Sequence, residues 1–97
     1  MNIVAVTSCA VGIAHTYMAA EKLEKAAKSL GYSIKIETQG AMGIENELTP
    51  DDITSADIAI FANDPAIERI ERFDAIRKII VPVQEAIKDP IRVLEMI

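Results

Sequence analysis

Two unbroken apolar runs, "NIVAVT" (residues 2–7) and "DIAIFA" (residues 57–62), constrain the fold more than any other feature of the chain. Neither run alternates polar with apolar residues, which is typical of strands that are covered on both faces. Such strands occur in parallel sheets that carry helices on either side. The two runs therefore predict central strands of an α/β fold.

A helix and a strand of another kind follow the first run. Apolar residues three and four positions apart predict a helix from about His15 to Leu30, with Gly31 in the left-handed position that ends it. The predicted apolar face of this helix consists of Ala19, Ala20, Leu23, Ala26, Ala27 and Leu30. The next segment, "SIKIET" (Ser33 to Thr38), alternates, with Glu37 among its outward residues. This alternation predicts a half-exposed strand at a sheet edge.

The segment between this strand and the second apolar run contains two glycines and a helix signal. Residues 39–48, "QGAMGIENEL", predict a loop in which Gly40 and Gly43 are turn glycines. "TPDDI" then predicts a short helix with Thr49 as its N-cap and Pro50 as its first residue. This loop and short helix therefore connect the strand at residues 33–38 to the strand predicted at residues 57–62.

The last third of the chain repeats the alternation of helix and strand. Asp64-Pro65 predicts the start of a helix whose inward residues are Ile67, Ile70 and Phe73. "RKIIVPV" predicts a fourth strand that is ended by Pro82, because proline cannot continue a ladder. A helical region over Gln84 to Ile97 follows, with a break at Asp89-Pro90 where a second helix can begin.

This alternation predicts a single α/β domain over residues 1–97, a Rossmann-like three-layer α/β/α arrangement with a four-stranded parallel sheet. Right-handed crossovers and the two central strands favour the strand order 2-1-3-4. In that order the switch point lies beside the first strand, and ligands of such sheets bind at the carboxyl ends of the strands there. Cys9 follows the first strand and is expected at this crevice.

Composition and charge exclude several classes of partner and several kinds of site for this chain. A net charge of −5 with scattered basic residues argues against a nucleic-acid partner and against an anionic membrane surface. No apolar run reaches the length of a membrane span, and the first 20 residues do not resemble a signal peptide. The single cysteine cannot form an internal disulfide, and one Cys with one His falls short of a metal site. We expect a cytoplasmic, reduced protein without metal or organic cofactor.

The loop after the first strand has the residues of an anion site. Small side chains around Gly12 allow backbone N–H groups to curl around a phosphate-sized group, and the start of the next helix adds donors and its dipole. A cysteine at the mouth of this loop is expected to have a pKa below the ordinary value of about 8.5. Cys9 is then a nucleophile; the alternative is a packed core residue, as free cysteines often are.

A thiolate in a phosphate cradle suits hydrolysis of phosphate esters or arsenate reduction, and it also suits relay of a phosphoryl group. Low-molecular-weight tyrosine phosphatases have Cys, five residues, then Arg-Ser/Thr, whereas here His15-Thr16 follows Cys9 at that spacing. The arginine that would clamp the phosphate is absent, and the candidate acids Asp64 and Asp89 do not replace it. A relay must hold phosphocysteine without hydrolysing it, so the missing arginine favours a relay.

Two blocks, "GIAHTYMAAEKLEKAAKSLGY" (12–32) and "IKIETQGAMGIENELTPDDI" (34–53), with "AD" and "ERF" after them, resemble the fructose-type enzyme IIB (EIIB) of the bacterial phosphoenolpyruvate-dependent sugar phosphotransferase system (PTS). The resemblance implies that Cys9 accepts phosphate from a phosphohistidine of enzyme IIA (EIIA). It also implies that the phosphate then passes to a sugar bound by the membrane permease, enzyme IIC (EIIC). It places Cys9 as the phosphorylated residue in a phosphate-binding loop that continues through Ala10, Val11, Gly12, Ile13, Ala14, His15 and Thr16.

The loop departs from the family pattern directly after the cysteine. Members usually have Pro-Thr there, whereas this chain has Ala10-Val11. Ala10 restores an N–H and some backbone freedom, and Val11 lacks a hydroxyl that could contact phosphate. The alternatives to a relay are therefore a phosphatase-like or arsenate reductase-like hydrolase and a non-catalytic regulatory paralogue. Since phosphoryl traffic requires transient contacts, we expect a monomer.

Overall fold

The computed structural model describes residues 1–8, 13–40, 43–63 and 67–97. Five strands in these residues form one sheet in the order β3-β2-β1-β4-β5. They are β1 (Asn2–Ser8), β2 (Ser33–Gly40), β3 (Gly43–Glu45), β4 (Ile58–Asn63) and β5 (Lys78–Val81). β1 is parallel to β2 and β4, β5 is parallel to β4, and β3 runs antiparallel to β2. The four parallel strands have the predicted order, and β3 adds an edge strand that the prediction missed.

Helices lie on both faces of the sheet, as the three-layer prediction requires. They are α1 (Ile13–Ser29), α2 (Pro50–Thr54), a 3-10 helix (Ile70–Phe73), α3 (Val83–Lys88) and α4 (Pro90–Glu95). α1, α3 and α4 contribute to the core on one face, whereas the other face is covered by the α2 region and the 3-10 helix.

The two continuous apolar runs are central strands, as predicted. In β1, Ile3 and Ala5 face the α1 side of the sheet, whereas Val4 and Val6 face the α2 side. β4 divides in the same way, with Ile60 in the first core and Phe61 in the second. Because helices cover both faces, consecutive residues are buried and the sequence shows no alternation.

Local sequence signals for helix ends are confirmed. Thr49 Oγ1 accepts a hydrogen bond from Asp52 N at 3.1 Å, and Asp52 Oδ2 accepts one from Thr49 N at 3.0 Å, which completes a capping box. Gly31 has a φ of +76° directly after the last turn of α1. Asp89 caps α4 by accepting a hydrogen bond from Arg92 N at 3.3 Å. Each of these signals depends on hydrogen bonds within three or four residues of sequence. The predicted helix ends therefore do not depend on contacts with distant residues.

Two predictions about apolar faces are wrong in detail. α1 begins at Ile13 and ends at Ser29, so Leu30 lies in the turn that follows and is 39% exposed. The segment predicted as an inward helix is a single 3-10 turn in which Phe73 is buried but Ile70 is 42% exposed. One turn is too short to present a continuous apolar face. Asp64-Pro65, the predicted start of that helix, lies outside the described residues.

The predictions for residues 33–48 are wrong where β2 meets its neighbours. β2 pairs with β1 along its length and with β3 at residues 38–40, so only its first half is a sheet edge. Glu37, predicted to face outward, is fully buried. Gly40 pairs with Gly43 across a short connection, and Gly43 has a φ of +92°. The described parts of residues 39–48 therefore include an antiparallel hairpin pairing of β2 with β3, and the segment is not a loop throughout.

Candidate functional site

The carboxyl ends of β1, β2 and β4 meet at one edge of the sheet. The strand register places Ser8, the last residue of β1, beside Gln39 of β2 and Asn63 of β4. β1 connects to β2 through α1 on one face, and the chain reaches β4 through α2 on the other face. This edge is therefore the switch point of the sheet, where ligands of parallel α/β folds bind. Cys9 follows Ser8 directly in the sequence.

The structure describes only part of the predicted phosphate-binding loop. Cys9, Ala10, Val11 and Gly12 lie outside the described residues, and Ile13 is described as the first residue of α1. In the first turn of α1, Ala14 is exposed, His15 is half-buried and Thr16 is fully buried. These residues place the start of a 17-residue helix at the carboxyl edge of the sheet. Unpaired N–H groups and a positive dipole end are general properties of such a helix start.

Thr7 and Thr16 fix the first turn of α1 to the sheet. Thr7 Oγ1 donates a hydrogen bond to the backbone O of Thr16 at 3.0 Å, and both residues are fully buried. Thr16 also lies over Gly40, where a Cβ atom would be 3.8 Å from Thr16 Cγ2. The hydroxyl of Thr16 is buried and has no hydrogen-bond partner within the described ranges. A buried donor without a partner costs free energy, so its retention beside the predicted loop calls for an explanation.

Gln39 connects the end of β1 with the segment that follows β4. Ser8 Oγ donates to the backbone O of Gln39 at 3.0 Å. The Gln39 side chain forms a reciprocal pair with the backbone of Glu68, because Oε1 accepts from Glu68 N at 2.9 Å and Nε2 donates to Glu68 O at 3.0 Å. One residue of β2 thus holds two separate pieces of chain at the carboxyl edge.

Glu37 lies beneath Gln39 at the centre of a polar network. Its carboxylate accepts hydrogen bonds from Gln39 Nε2 at 2.7 Å, from Leu48 N at 2.9 Å, and from Arg72 Nη1 and Nη2 at 3.0 Å each. Burial acts to raise the pKa of Glu37, but the hydrogen bonds from Arg72, Gln39 and Leu48 outweigh it and hold the pKa below its ordinary value. The same carboxylate raises the pKa of Arg72. Both groups are therefore charged at neutral pH.

Two further contacts join the hairpin and its following segment to their surroundings. The Tyr17 hydroxyl of α1 donates to Glu45 Oε1 of β3, and this hydrogen bond raises the pKa of Tyr17. Arg69 pairs with Glu47 on the surface, and Arg69 has a φ of +59°. The hairpin is thus tied to α1 on one side, and the segment after it is tied to the 3-10 region on the other.

Sequence reasoning missed Glu37, Gln39 and Arg72 as members of this network. "IKIETQG" and "ERF" supported the family resemblance, but they gave no indication that their charged residues meet. One signal was available: the neighbouring strand β1 is apolar on both faces, so an acidic residue on β2 beside it has little access to water. A buried carboxylate requires a partner, and this one comes from 35 positions away in sequence.

Neither a metal-ligand cluster nor a membrane-spanning helix occurs in residues 1–8, 13–40, 43–63 and 67–97. No group of three or more His, Cys, Asp or Glu residues there is arranged to hold a metal ion. None of the described helices is long and apolar enough to cross a membrane.

The fold is that of a small α/β domain in which the single cysteine follows, in sequence, the strand that ends at the switch point of a mostly parallel sheet. The model of the family "PTS system, Lactose/Cellobiose specific IIB subunit" matches residues 4–96. The PTS fructose-like EIIB component 2 of Escherichia coli (strain K12) is 51% identical over 87 residues, which are 90% of this chain and 82% of that protein. The chain belongs to the IIB family of the PTS.

Relatives contain this domain both as a separate component and within longer proteins. The 2-O-alpha-mannosyl-D-glycerate-specific EIIABC component of Escherichia coli (strain K12) is 55% identical over 87 residues, which are 90% of this chain but 13% of that protein. A domain from the fructose-specific IIABC component of Borrelia burgdorferi is 47% identical with a TM-score of 0.91, covering 96% of this chain and 88% of that one. The fold is therefore that of IIB domains from fructose-type systems.

Proposed function

We propose that this chain carries a phosphoryl group on Cys9 between EIIA and the sugar bound by EIIC. The observation that carries the proposal is the place of Cys9 in a chain of the IIB family, directly after the buried end of β1 and four residues before α1 begins. The proposed loop runs from Cys9 to Thr16. The chain would act as a single cytoplasmic domain and as a monomer, since its contacts with both partners must be brief.

The proposed transfer has two steps, with Cys9 as the phosphoryl acceptor in the first and phosphorylated Cys9 as the donor in the second. The Cys9 thiolate attacks phosphorus, an S–P bond forms, and the P–N bond of phosphohistidine breaks with its electron pair left on the imidazole. A sugar hydroxyl then attacks the same phosphorus and loses its proton, while the S–P bond breaks and the thiolate is restored. Backbone N–H groups at the start of α1 and the Thr16 hydroxyl, which has no partner among the described residues, are suited to hold the phosphoryl oxygens.

A hydrolase is not favoured by the described residues. Position 15 is histidine where a phosphatase loop has arginine. Both Nη atoms of Arg72, an arginine of the second layer, are bound to Glu37. Asp89, one of the two candidate acids, caps α4 instead.

Phosphorylation in a reconstituted system tests the proposal. The protein is incubated with phosphoenolpyruvate, enzyme I, HPr and a fructose-type EIIA, and intact mass and peptide mass spectra are recorded. We expect one added phosphate on the peptide that contains Cys9 and none on Cys9→Ala. A wild-type protein that stays unmodified, with EIIA shown to be phosphorylated in the same tube, would reject the relay. Steady turnover of p-nitrophenyl phosphate that Cys9→Ala abolishes would favour the hydrolase.

A further inference from the structure

We propose that Gln39 is a positioning residue for phosphoryl transfer at Cys9. The proposal rests on the function proposed above, in which Cys9 carries the phosphoryl group. Gln39 lies outside the loop of residues 9–16, on the neighbouring strand β2. It acts through two groups, its backbone carbonyl and its side-chain amide, which hold different pieces of chain at the carboxyl edge of the sheet.

The backbone carbonyl of Gln39 holds the residue that precedes Cys9. Ser8 is 5% exposed, and its hydroxyl donates to Gln39 O at 3.0 Å. This contact adds a side-chain hydrogen bond where β1 ends and the strand register places Ser8 opposite Gln39. The chain therefore enters the cysteine-containing loop from a fixed backbone position.

The side-chain amide of Gln39 holds the chain on the other side of β1. It forms one hydrogen bond with the backbone N and one with the backbone O of Glu68, as a residue of a paired strand does. Glu68 lies five residues after the end of β4, and β4 is paired with β1 on the side opposite to β2. The end of β2 and the segment that follows β4 are thus joined through one residue.

The orientation of the amide is fixed by a third hydrogen bond. Nε2 also donates to Glu37 Oε2 at 2.7 Å, and Glu37 is itself held by Arg72 and Leu48 N. Both protons of Nε2 therefore have acceptors, and Oε1 has to face Glu68 N. Only an amide supplies two donors and one acceptor at this position, because a glutamate would lose the donors and methionine would lose all three. A support of this kind keeps a nucleophile within reach of its target.

A comparison of four variants with the wild type tests the proposal. Gln39→Met removes the three side-chain hydrogen bonds and keeps a side chain of similar length. Ser8→Ala removes the hydrogen bond from Ser8 Oγ to Gln39 O, and the double variant combines the two substitutions. Asp89→Ala is the control, since it removes the cap of α4 and leaves the edge at Ser8 and Gln39 intact. For each protein, circular dichroism measures thermal unfolding, absorbance at 240 nm measures the pKa of the Cys9 thiol, and the rate of phosphoryl acceptance is measured at saturating phospho-EIIA.

We expect Gln39→Met to raise the thiol pKa and to slow acceptance by about tenfold or more, as small displacements of reacting groups do. Ser8→Ala should act in the same direction, and the double variant should lose less than the product of the two single losses, because both act through one contact chain. Asp89→Ala should unfold at a lower temperature while its thiol pKa and acceptance rate match the wild type.

Several results would overturn the assignment. Gln39→Met with the wild-type thiol pKa and acceptance rate would do so, and so would Asp89→Ala with the same losses as Gln39→Met, since stability alone would then explain them. Should Gln39→Met fail to fold, Ser8→Ala decides, and wild-type behaviour there rejects the proposal. If the wild type accepts no phosphate, the relay itself fails, and the thiol titration alone decides whether Gln39 positions Cys9.

Discussion

Glu37 and Arg72, 35 positions apart in sequence, form a bidentate salt bridge in which Arg72 Nη1 and Nη2 are each 3.0 Å from a carboxylate oxygen of Glu37. Glu37 is fully buried, whereas the Arg72 side chain is 20% exposed. The Arg72 guanidinium also lies 5.0 Å from the centre of the Phe73 ring. With Leu48 N and Gln39 Nε2 as further donors to Glu37, the pair joins β2 to two segments of the second layer.

Arg72→Met should strongly destabilise the protein, because it leaves the buried Glu37 carboxylate without its cation. We expect the free energy of unfolding to fall by about 3 kcal/mol, as measured by urea denaturation. Arg69→Met is the matched control, since Arg69 pairs with Glu47 on the surface and should contribute less than about 1 kcal/mol. Equal losses in the two variants would show that burial of the Glu37 pair does not matter.

The same pair should make stability depend on pH in the acid range. The pKa of Glu37 in the folded state lies below its ordinary value of 4.5, so the unfolded chain binds more protons as the pH falls. Its contribution is therefore complete above about pH 4.5 and is lost as the pH drops through the folded-state pKa. Lys35 lowers the pKa of Asp52 to about 2, which acts in the same direction at lower pH.

Urea denaturation between about pH 7 and pH 3 measures this dependence. The double variant Glu37→Gln/Arg72→Met removes both charges of the pair and keeps similar side-chain volumes. We expect its free energy of unfolding to fall less steeply below about pH 4.5 than that of the wild type. Parallel curves would assign the acid sensitivity to other carboxylates, such as that of Asp52.

Local and periodic signals allowed most of the fold to be predicted from sequence. Residues 3–7 and 58–62 are buried on both faces of the sheet, as their apolar sequence without alternation predicts. Gly31 and Thr49 act within one helix turn, so their roles do not depend on the rest of the molecule. The strand order follows from these two central strands together with the right-handed crossover rule.

The missed features depend on contacts between distant residues. β3 has three residues and pairs only with β2, so it carries no periodic pattern of its own. The alternation of Ser33 to Thr38 predicts an outward Glu37, and only the position of Arg72 reverses that expectation. Gln39 shows its role only when its three hydrogen-bond partners are known. Cys9 stays a prediction from sequence and family.

Thr49→Ala should destabilise the start of α2. The substitution removes the acceptor for Asp52 N and breaks the reciprocal capping box, so we expect a loss of about 1 kcal/mol in the free energy of unfolding. Thr54→Ala in the same helix is the control, because the Thr54 hydroxyl donates only to Pro50 O and caps nothing. A loss from Thr54→Ala as large as that from Thr49→Ala would argue against the capping role.

Thr16→Val should separate stability from function at the proposed site. The buried Thr16 hydroxyl has no partner among the described residues, so its replacement by a methyl group should leave the free energy of unfolding unchanged or raise it by up to about 1 kcal/mol. If this hydroxyl is reserved for the phosphoryl group on Cys9, the same variant should accept phosphate from EIIA at least about tenfold more slowly.

Thr38→Val provides the control for that variant. Thr38 also has a buried hydroxyl without a partner in the described part of the chain, and it lies on β2 beside Thr7. Its substitution should have a similarly small effect on urea denaturation and should keep the wild-type rate of phosphoryl acceptance. Wild-type acceptance by Thr16→Val would remove Thr16 from the phosphate-binding residues. An equal loss in both variants would show that the change in polarity beneath α1, rather than a contact with phosphate, slows the transfer.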